Sequence, residues 1–395
     1  MESMKDKVAI IGMGASKNFG ELWDKDMDDL IVEAATEAVA DAGVSLKDIQ
    51  AGWSGTVFAG GGLSLSTPLQ FQFIPVTRIE NDGATGADAI RSAAFAVVSK
   101  LYDLVLAAGF DKMKDRSQRG GGVESGSDEA HSVLGHGVSD PERYAMAAIR
   151  YFHQYGLSKE EGKRMLAMIS SKNRSNGARN PRAMFQEEVS VEDIMNAPSV
   201  AGPLGIYDCS PPSDGAVVAI LCRAEDAKNY RDDYVTIKGM GTCTGPGMGK
   251  VDPKYDFTHW EETERAARQA YEQAGIKNPR EELDMVELHD SFSIAEAIAI
   301  ESLGLCEKGK VLRDIEAGTF TLEGDLPVNV SGGLLSFGRP VGASGALGIY
   351  EIYKQIQGKA EGPSRQLKNV KIGLSHSQGG HPGRFQCSIT ILGAP

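Results

Sequence analysis

ENDGATGADAIR, residues 80–91, is the stretch of this 395-residue chain that decides the predicted fold. It follows a short apolar run of strand type at residues 73–79 and opens a run whose apolar residues have helical spacing. Gly83 and Gly86 flank the bend, where the free N–H groups of a helix start can face a ligand oxygen. Several acyl-transfer folds carry their nucleophile at such a turn. The tip here, residues 82–84, reads Asp-Gly-Ala and holds no good acyl acceptor.

The same turn occurs a second time in the chain. GASGALGI at residues 342–349 repeats GATGADAI at residues 83–90. Two further pairs follow in the same order: VAIIGMG at 8–14 with VTIKGMG at 235–241, and EAATEAVADAGV at 33–44 with RAARQAYEQAGI at 265–276. Three collinear pairs indicate two copies of one βαβ-type unit, the second with insertions.

The repeats predict an α/β fold made of two halves. We place the first half at residues 1–230, with an insertion at about 112–200, and the second half at residues 231–395. Strands are predicted at 8–14, 50–59, 76–79, 104–109, 285–289 and 387–392, and helices at 28–43, within 141–196 and at 261–274. Ser291 or Ser293 is predicted to cap the helix that follows residue 289.

Composition limits the function classes. A net charge of −13 without a concentrated basic face argues against binding to nucleic acid. The five cysteines lie far apart, without a C-x-x-C pair, so neither a metal site nor a disulfide framework is predicted. No signal-peptide core and no 18-residue apolar run occur in the sequence, and we expect a cytoplasmic enzyme without a membrane span.

A glycine- and serine-rich segment at residues 116–140 has little periodicity. It has two interpretations: a flexible linker, or a mobile cover over a site. Ligands of α/β sheets bind beyond the carboxyl ends of the strands, which points to four loops, at 80–86, 289–293, 336–344 and 375–384. These loops hold His289, His376, His381, Arg339 and Arg384. His289 is the first choice, because it leaves a strand immediately before a helix start.

Five segments carry a resemblance to a known family. They are ENDGATGADAIR, YDCSPPSDGA at 207–216, ELHDSFSIAEA at 287–297, PVNVSGGLLSFGRPVGASGA at 327–346 and GLSHSQGGHPG at 373–383. With these segments the whole chain resembles the thiolase superfamily, in particular its sterol-carrier-type and archaeal acetoacetyl-CoA thiolase branch. The resemblance implies two βαβαβαββ halves in a five-layered αβαβα sandwich with a helical and loop insertion, a homodimer, and coenzyme A thioesters as ligands.

The catalytic positions of that family are only partly retained. Thiolases carry the acyl group on a cysteine in Glu-Asn-x-Cys-x-Ser-Gly, and this sequence has Gly83 there. The histidine of Gly-His-Pro that activates the cysteine is replaced by Arg339. His289 matches the oxyanion-hole histidine of the branch, and His376 matches a position in its C-terminal loop. The resemblance also implies that the ligand is contacted by Gly83, Gly342, Ser344 and Gly380.

Chemistry narrows the predicted reaction. Glycine offers no nucleophile, so no acyl-enzyme can form at Gly83. Hydrogen-bond donors around a thioester carbonyl still stabilise an enolate, which a retro-aldol cleavage of a β-hydroxyacyl-CoA requires. The resemblance extends to cysteine-less steroid side-chain aldolases, which work with a small zinc-ribbon/OB-fold companion protein. The candidate general bases are His376, His381 and Asp290, and no cofactor is expected other than the coenzyme A of the substrate.

Two alternatives remain open at this point. In the first, the chain is an acyltransferase in which a CoA thiol attacks a β-ketoacyl-CoA directly, in the space left by the missing cysteine side chain. Arg339 then holds the carboxylate of a dicarboxylic acyl group, because a guanidinium binds carboxylates well. In the second, the chain is a non-catalytic scaffold that binds acyl-CoA or lipid.

Overall fold

A computed structural model describes residues 3–117 and 138–395. The glycine- and serine-rich segment at 116–140 lies almost wholly outside the described residues, so both of its interpretations stay predictions. The strands are β1 (Val8–Ala15), β2 (Ala51–Gly55), β3 (Val76–Ile79), β4 (Leu104–Lys112), β5 (Ser199–Ala201), β6 (Leu204–Gly205), β7 (Asp214–Arg223), β8 (Val235–Thr244), β9 (Met285–Glu287), β10 (Ile372–His381) and β11 (Arg384–Gly393).

The helices of the described residues follow the predicted pattern, with a helical insertion between β4 and β7. They are α1 (Met27–Ala42), α2 (Leu63–Leu69), α3 (Thr85–Val98), α4 (Lys114–Ser117), α5 (Asp140–Tyr155), α6 (Lys159–Ala178), α7 (Val191–Asn196), α8 (Met248–Val251), α9 (Glu261–Ala274), α10 (Pro279–Glu282), α11 (Ser293–Ser302), α12 (Val311–Glu316), α13 (Gly333–Phe337) and α14 (Val341–Ile356). The exact division of the chain at residue 230 stays a prediction.

Nine strands form one mixed sheet in the order β3-β2-β4-β7-β1-β8-β11-β10-β9. The first five come from the first half of the chain and the last four from the second half. The halves meet where β1 pairs antiparallel with β8, through Ala9 with Thr236 and Ile10 with Val235. The strand order on one side of this junction therefore mirrors the order on the other, as a duplicated unit requires.

Helices cover and separate the two parts of the sheet. α3 and α14 pack against each other in the centre, α1 lies on β1 and β7, and α9 lies on β8 and β11. β1 is buried on both faces, with Ile10 and Met13 in the central core and Ala9 and Ile11 in the core under α1. The α/β layers are therefore those predicted, in the order helix, sheet, helix, sheet, helix.

The repeated Gly-Met-Gly motif explains how the outer helices come so close to the sheet. A Cβ atom at Gly14 would collide with the Ala34 carbonyl oxygen of α1. A Cβ atom at Gly241 would collide with the Ala266 carbonyl oxygen of α9 in the same way. In each half, the absence of a side chain at this glycine therefore allows the outer helix to pack directly against the strand.

Three local predictions were wrong. The predicted loop at 336–344 is mostly helix, formed by the end of α13 and the start of α14. The predicted loop at 375–384 is mostly strand, because β10 continues to His381 and pairs with β11 across a two-residue turn. The glycines in this stretch suggested a loop, but cross-strand pairing overrides that local preference. Neither serine caps α11: the N-cap residue is Phe292, and the Ser293 hydroxyl donates a hydrogen bond to Asp208 at 2.7 Å.

Candidate active site

Gly83 lies at the buried turn that leads into α3, and its surroundings admit no side chain. A Cβ atom there would collide with the Gln378 carbonyl oxygen and would lie 2.6 Å from Cε1 and 3.0 Å from Nε2 of His289. The imidazole therefore occupies the place of a side chain at position 83. In this structure His289 takes the room beside Gly83, so the direct thiol attack expected from the missing cysteine requires the ring to move, and that alternative stays a prediction.

His289 follows β9 and is only 6% exposed. Burial lowers the pKa of the imidazole well below its ordinary value, and the nearby Arg339 and His376 lower it further. The ring is therefore neutral at neutral pH and carries one N–H group. A neutral imidazole held in a buried site can donate a hydrogen bond to a developing oxyanion.

His376 lies inside β10 and supports the segment that carries His289. Its Nδ1 accepts a hydrogen bond from the His289 backbone N–H at 3.4 Å, so its proton sits on Nε2, which lies 3.2 Å from the Thr263 hydroxyl. Burial lowers the pKa of His376 to about 3. Both ring nitrogens thus contact protein groups, and a role of His376 as general base stays a prediction.

Asp290 is fully buried and holds the start of α13. Its carboxylate accepts hydrogen bonds from the backbone N–H groups of Leu334 at 2.6 Å and Leu335 at 3.3 Å, and from the Asn173 side chain at 2.8 Å. Burial and the neighbouring Glu296 raise the pKa of Asp290 to about 7. Because three donors use this carboxylate, it is tied to α13, and its role as general base stays a prediction.

Arg339 is held between both halves of the chain. Its backbone N–H donates to the Pro211 carbonyl oxygen at 2.7 Å, and its guanidinium lies 3.4 Å from Asp140. The carboxylates of Asp140 and Asp82 keep the pKa of Arg339 raised although burial opposes the rise. Arg339 therefore remains a cation, close enough to His289 to help keep that imidazole neutral.

Tyr144 is a residue of this site that the sequence did not reveal. It comes from α5 of the insertion, is 2% exposed, and stacks on Phe292 with ring centroids 4.3 Å apart. Burial raises its pKa, although the Ser291 hydroxyl and Arg339 oppose the rise, so the phenol stays protonated. Its spacing in the sequence is that of an ordinary core residue, which is why no signal marked it.

Gln378 is a second residue that sequence reasoning missed. Its backbone carbonyl packs on Gly83, and its side chain is 2% exposed. Neither the amide oxygen nor the amide nitrogen has a hydrogen-bond partner among the described residues. Buried amides are nearly always paired, so this unpaired amide is a candidate to contact a ligand.

The other predicted site residues are distributed around the two turns. Gly380 donates its N–H to the Asp82 carboxylate at 2.8 Å, and the Ser344 hydroxyl lies 3.2 Å from the Gly83 carbonyl oxygen. The structure thus brings both to the first turn.

Gly342 instead donates its N–H to the buried Asp111 at 2.7 Å. His381 ends β10, with Nδ1 lying 3.2 Å from the Pro382 carbonyl oxygen. Ligand contacts of Gly342, Ser344 and Gly380, and a role of His381 as general base, stay predictions.

A cavity of about 20 Å³, room for a single water molecule, is lined in part by His289. Its polar lining includes Glu287, His289, Ser331, Ser344, Ser375 and His376. Burial and the neighbouring Glu351 raise the pKa of Glu287 to about 8. Glu287 is therefore mostly protonated at neutral pH, and the wall behind the imidazole carries little charge.

Neither a cysteine nor a metal site stands out at this position in the described residues. No group of three or more metal-ligating side chains occurs in residues 3–117 and 138–395. Cys209 pairs with Phe292 beside the site, but burial raises the pKa of its thiol to about 12. No described helix is both long and apolar enough to cross a membrane.

Comparisons with known proteins show the family of this chain. The family model "Thiolase, N-terminal domain" matches residues 8–225, and "Thiolase C-terminal domain-like" matches residues 249–393. An acetyl-CoA acetyltransferase of Methanothermobacter thermautotrophicus is 39% identical over 96% of this chain and 98% of its own length. The benzoylsuccinyl-CoA thiolase subunit BbsB of Thauera aromatica is 33% identical, over 95% of this chain and 96% of its own.

A solved structure shares the fold over the whole chain. The Ltp2-ChsH2(DUF35) aldolase has a TM-score of 0.86 and 26% sequence identity, and the match covers 100% of this chain and 99% of that chain. The predicted resemblance and the predicted fold are both confirmed by these matches. The relatives include both acyltransferase-type and aldolase-type enzymes.

Proposed function

Because this chain belongs to the thiolase superfamily, we propose that it cleaves the Cα–Cβ bond of a β-hydroxyacyl-CoA by a retro-aldol reaction, without an acyl-enzyme. One observation carries the proposal: position 83 has no side chain, and the neutral imidazole of His289 stands in its place. The site thus offers a donor where an acyl-transfer enzyme offers a nucleophile. The 26%-identical aldolase supports the same reaction.

In the proposed reaction His289 donates its N–H to the thioester oxygen. The unpaired amide of Gln378 is the second donor. As the Cα–Cβ bond breaks, its electron pair forms the enolate, and negative charge grows on the thioester oxygen. A preorganised donor at such an oxyanion is typically worth about 3–4 kcal/mol of barrier lowering. The enolate then takes a proton at Cα to give the shortened acyl-CoA.

The β-hydroxyl proton has to leave as the new carbonyl forms. We assign its acceptor to Asp82, which is half-buried at the turn, with its Oδ2 held by the Gly380 N–H at 2.8 Å. Its neighbour Arg339 keeps a positive charge beside this carboxylate. Tyr144, whose phenol stays protonated, can hold the departing carbonyl oxygen by a hydrogen bond.

An acyltransferase is the second candidate, supported by the 39% identity to an acetyl-CoA acetyltransferase. It requires CoA to attack a β-ketoacyl-CoA directly, since Gly83 cannot carry the acyl group. That attack needs His289 to move away from Gly83, because the imidazole fills the space beside it. The relatives with matching coverage are enzymes, and we carry the non-catalytic alternative no further.

A companion protein is part of the proposal. The similar aldolase is a complex with a DUF35 partner, and a second relative is described as a subunit. We therefore propose that this chain works with a small zinc-ribbon/OB-fold protein and forms a homodimer. Coenzyme A arrives as part of the substrate, and no resident cofactor is required.

The test uses the chain purified together with any co-expressed companion. A β-hydroxyacyl-CoA is added and the free aldehyde or ketone is trapped with a hydrazine reagent. The expected result is a carbonyl product with a shortened acyl-CoA, and no mass increase of the protein. A parallel reaction contains a β-ketoacyl-CoA and CoA. If this substrate is cleaved and the β-hydroxyacyl-CoA releases no carbonyl product, the acyltransferase replaces the lyase as the proposed function.

A further inference from the structure

Arg174 on α6 is a buried arginine without an anionic partner. It is 6% exposed, and its guanidinium carbon lies 3.9 Å from the Phe185 ring centroid and 5.4 Å from that of Tyr207. Its Nε is enclosed and has no hydrogen-bond partner among the described residues. Cation–π contacts cover the guanidinium but leave the N–H donors at its edge unused.

A comparison within the same chain shows how unusual this is. Arg365 is also buried, at 1% exposure, and it donates to Glu351 at 2.8 Å and to the Val330 carbonyl oxygen at 2.9 Å. Buried arginines are almost always paired in this way, because an uncompensated buried charge is costly. Arg174 lacks that compensation within the part of the chain that the structure describes.

The charge on Arg174 persists despite this environment. Burial lowers its pKa to about 10, so the guanidinium is still protonated at neutral pH. Glu187 is the carboxylate that acts on it electrostatically, and it lies exposed on the surface. Arg174 is therefore a largely buried cation whose Nε–H has no acceptor among the described residues, which is the electrostatic condition for binding an anion.

The position of Arg174 links it to the candidate active site. The next residue on α6, Asn173, donates hydrogen bonds to Asp290 and to Glu296 behind His289. Tyr207 is followed directly by Asp208, whose carboxylate accepts from the Ser293 hydroxyl at the start of α11. Arg174 and Tyr207 are thus connected to the segment that follows His289 through their neighbours in the chain, Asn173 and Asp208.

From these observations we propose that Arg174, between Phe185 and Tyr207, is a binding site for a carboxylate. A flat carboxylate can lie in the plane of the guanidinium and accept two N–H bonds without displacing the rings, whereas a tetrahedral phosphate needs more width. Both rings are only half-buried, so Arg174 lies close to the surface. The site is distinct from Gly83 and does not depend on the reaction catalysed there.

The experiment measures thermal unfolding of the full chain with sodium succinate as the probe, at constant ionic strength. Arg174→Met is compared with Arg179→Met, a change at the end of the same helix where the arginine reaches Glu188 and Glu323 at 4.0 Å. We expect succinate to stabilise the wild type and Arg179→Met, and its affinity to fall about tenfold or more in Arg174→Met. Arg174→Lys should bind succinate at intermediate strength, because it keeps the positive charge but loses the two parallel N–H donors of the guanidinium.

The stability of the unliganded variants separates binding from a structural role. A site kept for a ligand predicts that Arg174→Met unfolds at the same temperature as the wild type or higher, because an unpaired buried cation is removed. A lower unfolding temperature in both Arg174 variants than in Arg179→Met assigns the residue to packing and overturns the proposal.

Equal succinate affinity in Arg174→Met and in the wild type, or tighter binding of inorganic phosphate than of succinate, overturns the carboxylate assignment. His289→Ala must still bind succinate, so this result stands or falls separately from the retro-aldol reaction.

Discussion

The turn at Gly83 and its repeat at Gly342 are each closed by a carbonyl group from the other half of the chain. A Cβ atom at Gly83 would collide with the Gln378 oxygen of β10, and one at Gly342 would lie 2.5 Å from the Phe110 oxygen of β4. The strands β10 and β4 hold equivalent places in their halves of the sheet. The backbone of the two turns is therefore built alike.

The side chain that contacts the turn differs between Gly83 and Gly342. Beside Gly342 lies the buried carboxylate of Asp111, which accepts from the Gly342 N–H at 2.7 Å and from the Thr56 hydroxyl at 2.8 Å. Beside Gly83 lies the neutral imidazole of His289. One helix start thus donates to a buried carboxyl group of the protein, whereas the other faces a hydrogen-bond donor. The duplicated backbone provides two equivalent turns. The side chains at the strand ends make the Gly342 turn a structural contact and the Gly83 turn a candidate active site.

The largest expected effects come from removing the side chains that distinguish the two turns, His289 and Asp111, one at a time. His289→Ala should lower turnover of the β-hydroxyacyl-CoA about 100- to 1000-fold, because an oxyanion donor is lost, with little change in the free energy of unfolding. Steady-state kinetics and urea unfolding of the same preparation measure both. Turnover within twofold of the wild type would remove His289 from the proposed reaction.

Asp111→Ala should have the opposite profile. It leaves the Gly342 N–H and the Thr56 hydroxyl without their buried acceptor, and each unsatisfied group costs about 1–3 kcal/mol of stability. Asp111→Asn keeps one acceptor oxygen and should lose less. Urea unfolding measures the order wild type, Asn, Ala; a stable Asp111→Ala protein with lost turnover would mean that the second turn is also catalytic.

Alanine at the two turn glycines tests how rigidly each place is filled. Gly342→Ala places a Cβ atom against the fixed oxygens of Gly55 and Phe110, and overpacking of this kind typically costs about 1–3 kcal/mol. Gly83→Ala meets a side-chain ring as well as a carbonyl, and the ring can turn away. We therefore expect the smaller loss of stability but the larger loss of turnover in Gly83→Ala. Equal effects on both measurements would show that the turns do not differ.

The pH dependence of stability tests the surroundings of His376. The folded-state pKa of His376 is lowered to about 3, against an ordinary value of 6.5, so the unfolded chain binds the proton first as pH falls. Stability from this group is therefore complete above about pH 6.5 and is lost towards pH 3, by at most about 1.4 kcal/mol per pH unit. Urea unfolding at pH 7, 5.5 and 4.5 should show a shallower decline in His376→Gln. An unchanged slope would mean that His376 is not held neutral beside the first turn.

Much of the architecture could be predicted from the sequence because it depends on local periodicity. The three repeated pairs, among them the Gly-Met-Gly strands and the Gly83 and Gly342 turns, correctly predicted duplicated α/β layers. The stretch 375–384 was wrongly predicted as a loop, because its glycines have no local preference for a strand and only the pairing with β11 makes one. Local rules thus failed where a partner strand decides the conformation.

The sequence by itself determined that position 83 carries no nucleophile, since that depends only on which residue stands there. Only the tertiary structure decided what fills the vacated place, and that Gln378 and Tyr144 lie beside it. The same holds for Arg174, whose missing partner is visible only once all its neighbours are known. The physical reason is that hydrogen bonding, burial and charge depend on distances between residues far apart in the chain, and those distances are set when the two halves pack around the central helices.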